Sequence, residues 1–315
     1  MALLALLLVT AVWGVTFVQV KDAVAIYPLF AFMAIRFAIA GGALAPAAAG
    51  RVRSLGANGL RAGALLGLML AAGFALQTAG LQRTTVSSTG FITGLYVVLT
   101  PLLGLALFRV RAGAAVWAGA LLSVAGLALL SGIDVGRLDG DLLVLASAVA
   151  QALQIVLVER YAARFDAIAL TFVELATAFA AFALVAAALA DFEAPHGRTV
   201  WGALIVTGVF ASAFAYLVQV WAQRRMSAAR IALVFALESP FAALFGYTLD
   251  DDRLGVVGWT GCAVIMAGIL VAEPAAADVL RRLVRRPQSG LSAERTTGGG
   301  LGEPGGSSSS LRDDG

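Results

Sequence analysis

The sequence holds one cysteine, Cys262, one histidine, His196, and one lysine, Lys21, in 315 residues. A single cysteine in an apolar stretch excludes a disulfide framework and a cysteine-based metal site. A lone histidine in a polar loop excludes a histidine-rich metal centre. Charge is scarce too: Asp, Glu, Lys and Arg together make up 13% of the chain, against about a quarter in soluble domains. No GxxxxGK[ST] segment occurs, so there is no P-loop to hold ATP. The pI near 9.4 could point to nucleic acid, but the arginines are scattered through short loops, a pattern that membrane topology explains better.

What fills the chain instead is apolar. Hydrophobic residues make up 60% of it, and the mean hydropathy is +0.91. A soluble chain of this size could not bury so much apolar surface, so segments facing lipid are expected. Ten apolar runs stand between short polar breaks: 2–20, 28–49, 61–81, 85–108, 112–132, 141–158, 167–190, 199–222, 227–249 and 254–272. Beyond Pro274 come Arg281, Arg282, Arg285 and Arg286, then runs of Gly and Ser, read as a largely disordered tail over 274–315. The expected fold class is an all-α integral membrane protein of ten transmembrane helices.

Basic residues orient it. The even-numbered loops carry nine (Arg51, Arg53, Arg61, Arg109, Arg111, Arg160, Arg164, Arg224, Arg225) and the odd-numbered loops five (Lys21, Arg83, Arg137, Arg198, Arg253). The positive-inside rule then places both termini in the cytoplasm of a cell membrane, inner or plasma.

The two halves also resemble each other. Ser88 to Leu105 aligns with Ser227 to Leu244 at an offset of 139, matching Pro101 to Pro240. Trp117, Gly119, Ala125 and Gly126 match Trp259, Gly261, Ala267 and Gly268 at an offset of 142. Five is odd, so a duplicated five-helix unit enters the membrane inverted the second time. Two inverted five-helix repeats, 1–133 and 134–273, are expected. That architecture lets one half rock against the other around a midplane site.

Three charged side chains lie well inside apolar runs: Arg36, Glu174 and Glu238. Such charges must face protein, water or a partner. Helical rise puts Arg36 about 12 Å, Glu174 about 11 Å and Glu238 about 17 Å from the nearer start of their runs. Arg36 and Glu174 are repeat-related and of opposite charge. They read either as a structural ion pair, or as side chains snorkelling to the interfaces, or as a substrate-sensing or gating pair. Glu238 precedes Pro240 by two residues. Proline leaves the Ala236 carbonyl free, and a carboxylate beside it could bind a cationic or amino group or a proton; the alternative is a kink with the acid bonded to a neighbouring helix. Trp13, Gln77, Thr78, Tyr96, Gln151, Gln154, Tyr216 and Gln219 complete a candidate cavity, each with packing as the competing reading. Pro101 and Pro240 are the candidate hinges.

The stretch Leu76-Gln77-Thr78-Ala79-Gly80-Leu81-Gln82 through Phe91-Ile92-Thr93-Gly94-Leu95-Tyr96 to Pro101 resembles the third and fourth helices of EamA-type permeases of the drug/metabolite transporter superfamily. Val12-Trp13-Gly14 with Phe17 is similar to their first helix, Arg36-Phe37 to their second, and Glu238-Ser239-Pro240 to their ninth. The resemblance spans roughly 1–273. It implies a twice-repeated permease that moves small metabolites, often outward, through a central cavity between the halves. Gln151 departs from it by standing where repeat symmetry with Trp13 would allow an aromatic. The expected function is a secondary transporter of small metabolites such as amino acids, an exporter working by alternating access, and no enzyme. An intramembrane enzyme or a channel-like facilitator is the alternative. Expected partners are a small-molecule substrate and membrane lipid, with a homodimer left open, and neither nucleic acid, metal nor cofactor.

Overall fold

In lipid every backbone N–H and C=O must be satisfied within the chain, so apolar runs rich in Leu, Ala and Val fold as helices. The computed structural model describes residues 2–84, 86–131, 138–249 and 255–272, and no strand occurs among them. The acidic loop at 250–254 and the tail read from 274 onward lie outside the described residues. The helices are α1 (Ala2–Ile26), α2 (Leu29–Ala48), the single turn α3 (Arg51–Ser54), α4 (Gly56–Leu81), α5 (Val86–Gly94) and α6 (Tyr96–Phe108). They continue with α7 (Ala114–Ser131), α8 (Leu138–Ala162), α9 (Ala167–Ala188), α10 (Gly197–Gly208), α11 (Ala215–Gln223), α12 (Ala228–Phe235), α13 (Glu238–Leu249) and α14 (Val256–Ala272). Each apolar run of the sequence is helical over most of its described length, although α1, α4 and α8 overrun the expected ends. By length and hydropathy, seven stretches suffice to cross a membrane, whereas α7 and α14 are shorter apolar helices and α1 is apolar over 2–16.

Three interruptions break the regular ladder. Between α5 and α6, Leu95 closes a tight turn through its N–H to Ile92 C=O at 3.1 Å. Between α12 and α13, the Leu237 N–H bonds back to Val234 C=O at 3.0 Å. Between α10 and α11 the chain widens into a π-helical segment, Val209–Phe214; such segments are rare and concentrate at functional sites.

Packing is close where glycines of α7 and α14 meet. A Cβ on Gly119 of α7 would lie 2.5 Å from the Gly268 carbonyl oxygen of α14, and one on Gly268 would lie 2.6 Å from that of Gly119. Gly126 and Gly261 stand in the same reciprocal relation, at 2.7 and 2.6 Å. Only residues without a side chain allow backbones this close. Elsewhere α2 lies on α9, α4 on α8 and α9, and α1 on α13.

The end of the bundle near residues 160 and 224 is fastened by polar side chains. Asp166 caps α9 by accepting from the Ala169 N–H at 3.0 Å, and Glu159 of α8 accepts from the Ala228 N–H at the start of α12, also at 3.0 Å. Arg224 donates to the carbonyls of Ala162, at 2.7 Å, and Phe165. At the other end Tyr27 donates to the Glu193 carbonyl at 2.5 Å. Burial, with the Glu193 charge nearby, holds that phenol above its ordinary range.

Candidate functional site

A cavity of about 40 Å³, partly open to solvent, lies inside the bundle. Seven helices wall it. Trp13 of α1, Leu70 and Phe74 of α4 and Tyr96 of α6 form a largely aromatic side. Gln151, Gln154 and Ile155 of α8, Tyr216 and Gln219 of α11, Phe235 of α12 and Glu238 of α13 form a more polar one. The first wall comes from residues before 133 and the second from residues after it.

All three helix interruptions border this space. Tyr96 is the residue after the break at Leu95, and Phe235 and Glu238 flank the break at Ala236–Leu237. The π-helical segment leads directly into Ala215 and Tyr216. Its irregular backbone is held from two sides: the Trp13 indole N–H donates to Ala211 C=O at 2.8 Å, and Arg36 Nε donates to Ser212 Oγ at 2.8 Å. Trp13 also packs edge-on against Phe235 at 4.8 Å between centroids and tilts toward Tyr216 at 6.0 Å.

Glu238 begins α13, where the helix dipole favours a negative group. Its carboxylate accepts no hydrogen bond among the described residues, and the Arg36 charge reaches it only at longer range. A carboxylate facing a cavity walled by Trp13, Tyr96, Tyr216 and Phe235 is suited to a cation, because aromatic faces attract positive charge as well.

Behind the wall runs a chain of buried amides. Gln154 Nε2 donates to Glu174 Oε1 at 2.6 Å, and Gln219 Nε2 donates to Gln154 Oε1 at 3.0 Å and to Gln223 Oε1 at 3.1 Å. Gln223 Nε2 ends the chain on the Ile155 carbonyl at 2.7 Å.

Of the eleven substrate, coupling or cavity candidates read from the sequence, seven meet at the cavity: Trp13, Tyr96, Gln151, Gln154, Tyr216, Gln219 and Glu238. Glu174 stands one hydrogen bond behind it. Gln77 does not line it; its Nε2 donates to Thr93 Oγ1 at 3.1 Å, tying α4 to α5. Thr78 does not line the cavity either; its Oγ1 donates to the Phe74 carbonyl at 2.8 Å. The ion-pair reading of Arg36 and Glu174 does not hold. Among the described residues the salt bridge is Arg51–Asp166, at 3.3 Å on the surface, and Arg36 and Glu174 bind different neighbours. Neither snorkels, since Arg36 is 5% exposed and Glu174 0%. Pro101 lies within α6, six residues past its break, and Pro240 three residues past Leu237, so the two prolines do not mark equivalent bends.

Sequence reasoning passes over Leu70, Phe74, Ile155, Phe235, Ser212 and Gln223. Phe235 carries a signal, because it matches Tyr96 at the repeat offset of 139. Phe74 shares a helix face with Gln77. Ser212 carries none, since its role depends on the widened π segment. No group of three or more His, Cys, Asp or Glu converges among the described residues.

The EamA-like transporter family matches the chain over residues 1–132 and again over 138–272. The chain belongs to this family. The EamA-like chain is also 30% identical, over 272 residues, to an uncharacterized transporter of Archaeoglobus fulgidus, covering 86% of this chain and 85% of that protein. A solved crystal structure superposes on it with a TM-score of 0.72 at 22% identity, covering 88% of this chain and 98% of the other, a likeness of fold alone. Family and apolar helices together make this EamA-like protein a multi-pass membrane transporter.

Proposed function

We propose that this transporter is a secondary carrier that exports small polar metabolites, amino acids among them, by alternating access between two inverted five-helix repeats. On this reading α1, α7 and α14 cross the membrane with the other seven stretches and bring the count to ten. The repeats are 1–133 and 134–273, and both termini lie in the cytoplasm. The observation that carries the proposal is the meeting of three helix interruptions at one cavity walled by both halves. Broken helices at a repeat interface supply free backbone groups for a ligand and joints for rocking. The reciprocal glycine contacts support the repeat. Gly119 corresponds to Gly261 and Gly126 to Gly268, yet each packs against the other's partner, as a two-fold axis between α7 and α14 requires.

Within the cavity Glu238 and the aromatic wall take the amino group, while the amides of Gln151, Gln154 and Gln219 bond the remaining polar atoms. Uptake of a radiolabelled metabolite panel into vesicles tests the assignment. A saturable flux that Glu238→Gln abolishes, with expression intact, is expected. Unchanged flux removes Glu238 from the site, and flux that does not saturate makes the protein a facilitator.

A further inference from the structure

The polar chain behind the cavity is built around a carboxyl group that the substrate site does not need. Glu174 is fully buried in α9. One oxygen, Oε1, accepts from Gln154, while the other, Oε2, has no partner. No cation lies within ion-pair distance among the described residues. An ionised carboxylate so placed would be an uncompensated charge in a dry interior. A proton on Oε2 removes that charge, and it turns an orphaned acceptor into a donor while Oε1 still accepts from Gln154. The same chain holds an acceptor left open, Gln219 Oε1, and Thr171 Oγ1, one turn before Glu174 on α9, is also unpartnered.

The surroundings of α9 offer no competing charge. From α2, Arg36 turns to Ser212 and to the rings of Phe37 and Phe74. From α4 the charged residue is Arg61, exposed near the helix start, and from α3 Arg51 and Arg53, of which Arg51 pairs with Asp166. From α11 the titratable neighbour is the Tyr216 phenol, whose field Glu174 shares. The charged residues of α8, namely Asp139, Asp141, Glu159 and Arg160, sit at its two ends, and the π-helical segment carries none.

We propose that Glu174 is a proton-binding site, one hydrogen bond behind the substrate cavity and distinct from Glu238, through which the carrier couples substrate movement to a proton. In the conformation described here Oε2 carries the proton. When access changes sides, the O–H bond breaks, the proton passes to water on the newly open side, and the carboxylate keeps the electron pair. The coupling rests on the carrier reading above; the occupancy of Glu174 does not.

Infrared difference spectroscopy of the full-length protein in liposomes, stepped from acid to alkaline buffer, tests occupancy without any substrate. A carboxylic C=O band is expected that disappears in Glu174→Gln and persists in Glu238→Gln. Gln154→Leu, which removes the N–H donor but not the acid, should shift that band, so the test survives if Glu174→Gln misfolds. Identical spectra for wild type and Glu174→Gln, no shift in Gln154→Leu, or a carboxylate band answering to sodium instead of pH would each overturn the proposal. Coupling is read in proteoliposomes with a labelled amino-acid mixture. Glu174→Gln should retain exchange and lose accumulation driven by a pH gradient; accumulation equal to wild type overturns coupling. If wild type moves no amino acid, amino acids leave the substrate class of the carrier reading, while the infrared result still decides the proton site.

Discussion

A buried arginine persists inside an apolar bundle only if its donors and its charge are both answered, and Arg36 shows how. Its Nε is bonded to Ser212, and the planar guanidinium lies 5.0 Å from the Phe74 centroid and 5.6 Å from that of Phe37. Lysine has neither the plane nor an Nε, so Arg36→Lys is not conservative here. We expect it to lower stability by about 1.5–3 kcal/mol, the scale of a hydrogen bond to a charged group. Ser212→Ala, which leaves the aromatic contacts in place, should cost less. Thermal unfolding in detergent measures both, and equal melting temperatures for all three proteins would show that these contacts do not hold the guanidinium. The positions of Arg36 and Glu174 are legible in the sequence because charge inside an apolar run is rare. Their partners are not legible, because the offset of 138 between them carries no information about which way each side chain turns.

Helices are legible wherever hydropathy alone decides, which is why every apolar run reappears as helix. Their interruptions are not. Proline is the usual sequence signal for a bend, yet the break before α6 falls at Leu95 and the π-helical segment contains no proline at all. The π-helical segment is held by contacts between helices, such as the Trp13 bond to Ala211. The glycine pairs of α7 and α14 lie between these cases: the sequence shows them as repeat matches, and packing gives them their purpose. Gly268→Val would drive a side chain into the Gly119 carbonyl and Ser123 Oγ, which would lie 2.6 and 2.9 Å from its Cβ. Overpacking of this kind costs about 1–3 kcal/mol or more, so a marked fall in folded yield is expected. Gly42→Ala in α2 meets nothing within 4 Å and should instead stabilise by about 0.5–1 kcal/mol, as glycine is a weak helix former. Size-exclusion profiles and melting curves of the two variants check the contrast. If both are tolerated equally, the α7–α14 contact is looser than the structure describes.

Over the whole molecule, large apolar side chains such as Leu102, Leu121, Leu184, Ile205, Phe210 and Leu270 point outward from separate helices. An apolar surface this widely spread belongs in lipid, which makes the order of membrane crossings the decisive question. The helix α7 is the critical one. Its 18 residues reach about 27 Å at 1.5 Å per residue, close to the about 30 Å hydrocarbon core. Arg111 precedes α7 and Arg198 follows α9, and both are exposed. If α7, α8 and α9 all cross, three crossings place Arg111 and Arg198 on opposite faces. If α7 lies in the membrane plane, two crossings place them on the same face. In a Cys262→Ala background, intact cells expressing Arg198→Cys should react with an impermeant maleimide. Arg111→Cys should react only after permeabilisation, in keeping with the nine-to-five excess of basic residues in the even-numbered loops. Labelling of both variants from outside, or of neither, removes α7 from the count and with it the inverted five-helix repeat. Labelling of Arg111→Cys alone keeps the repeat and turns the protein over.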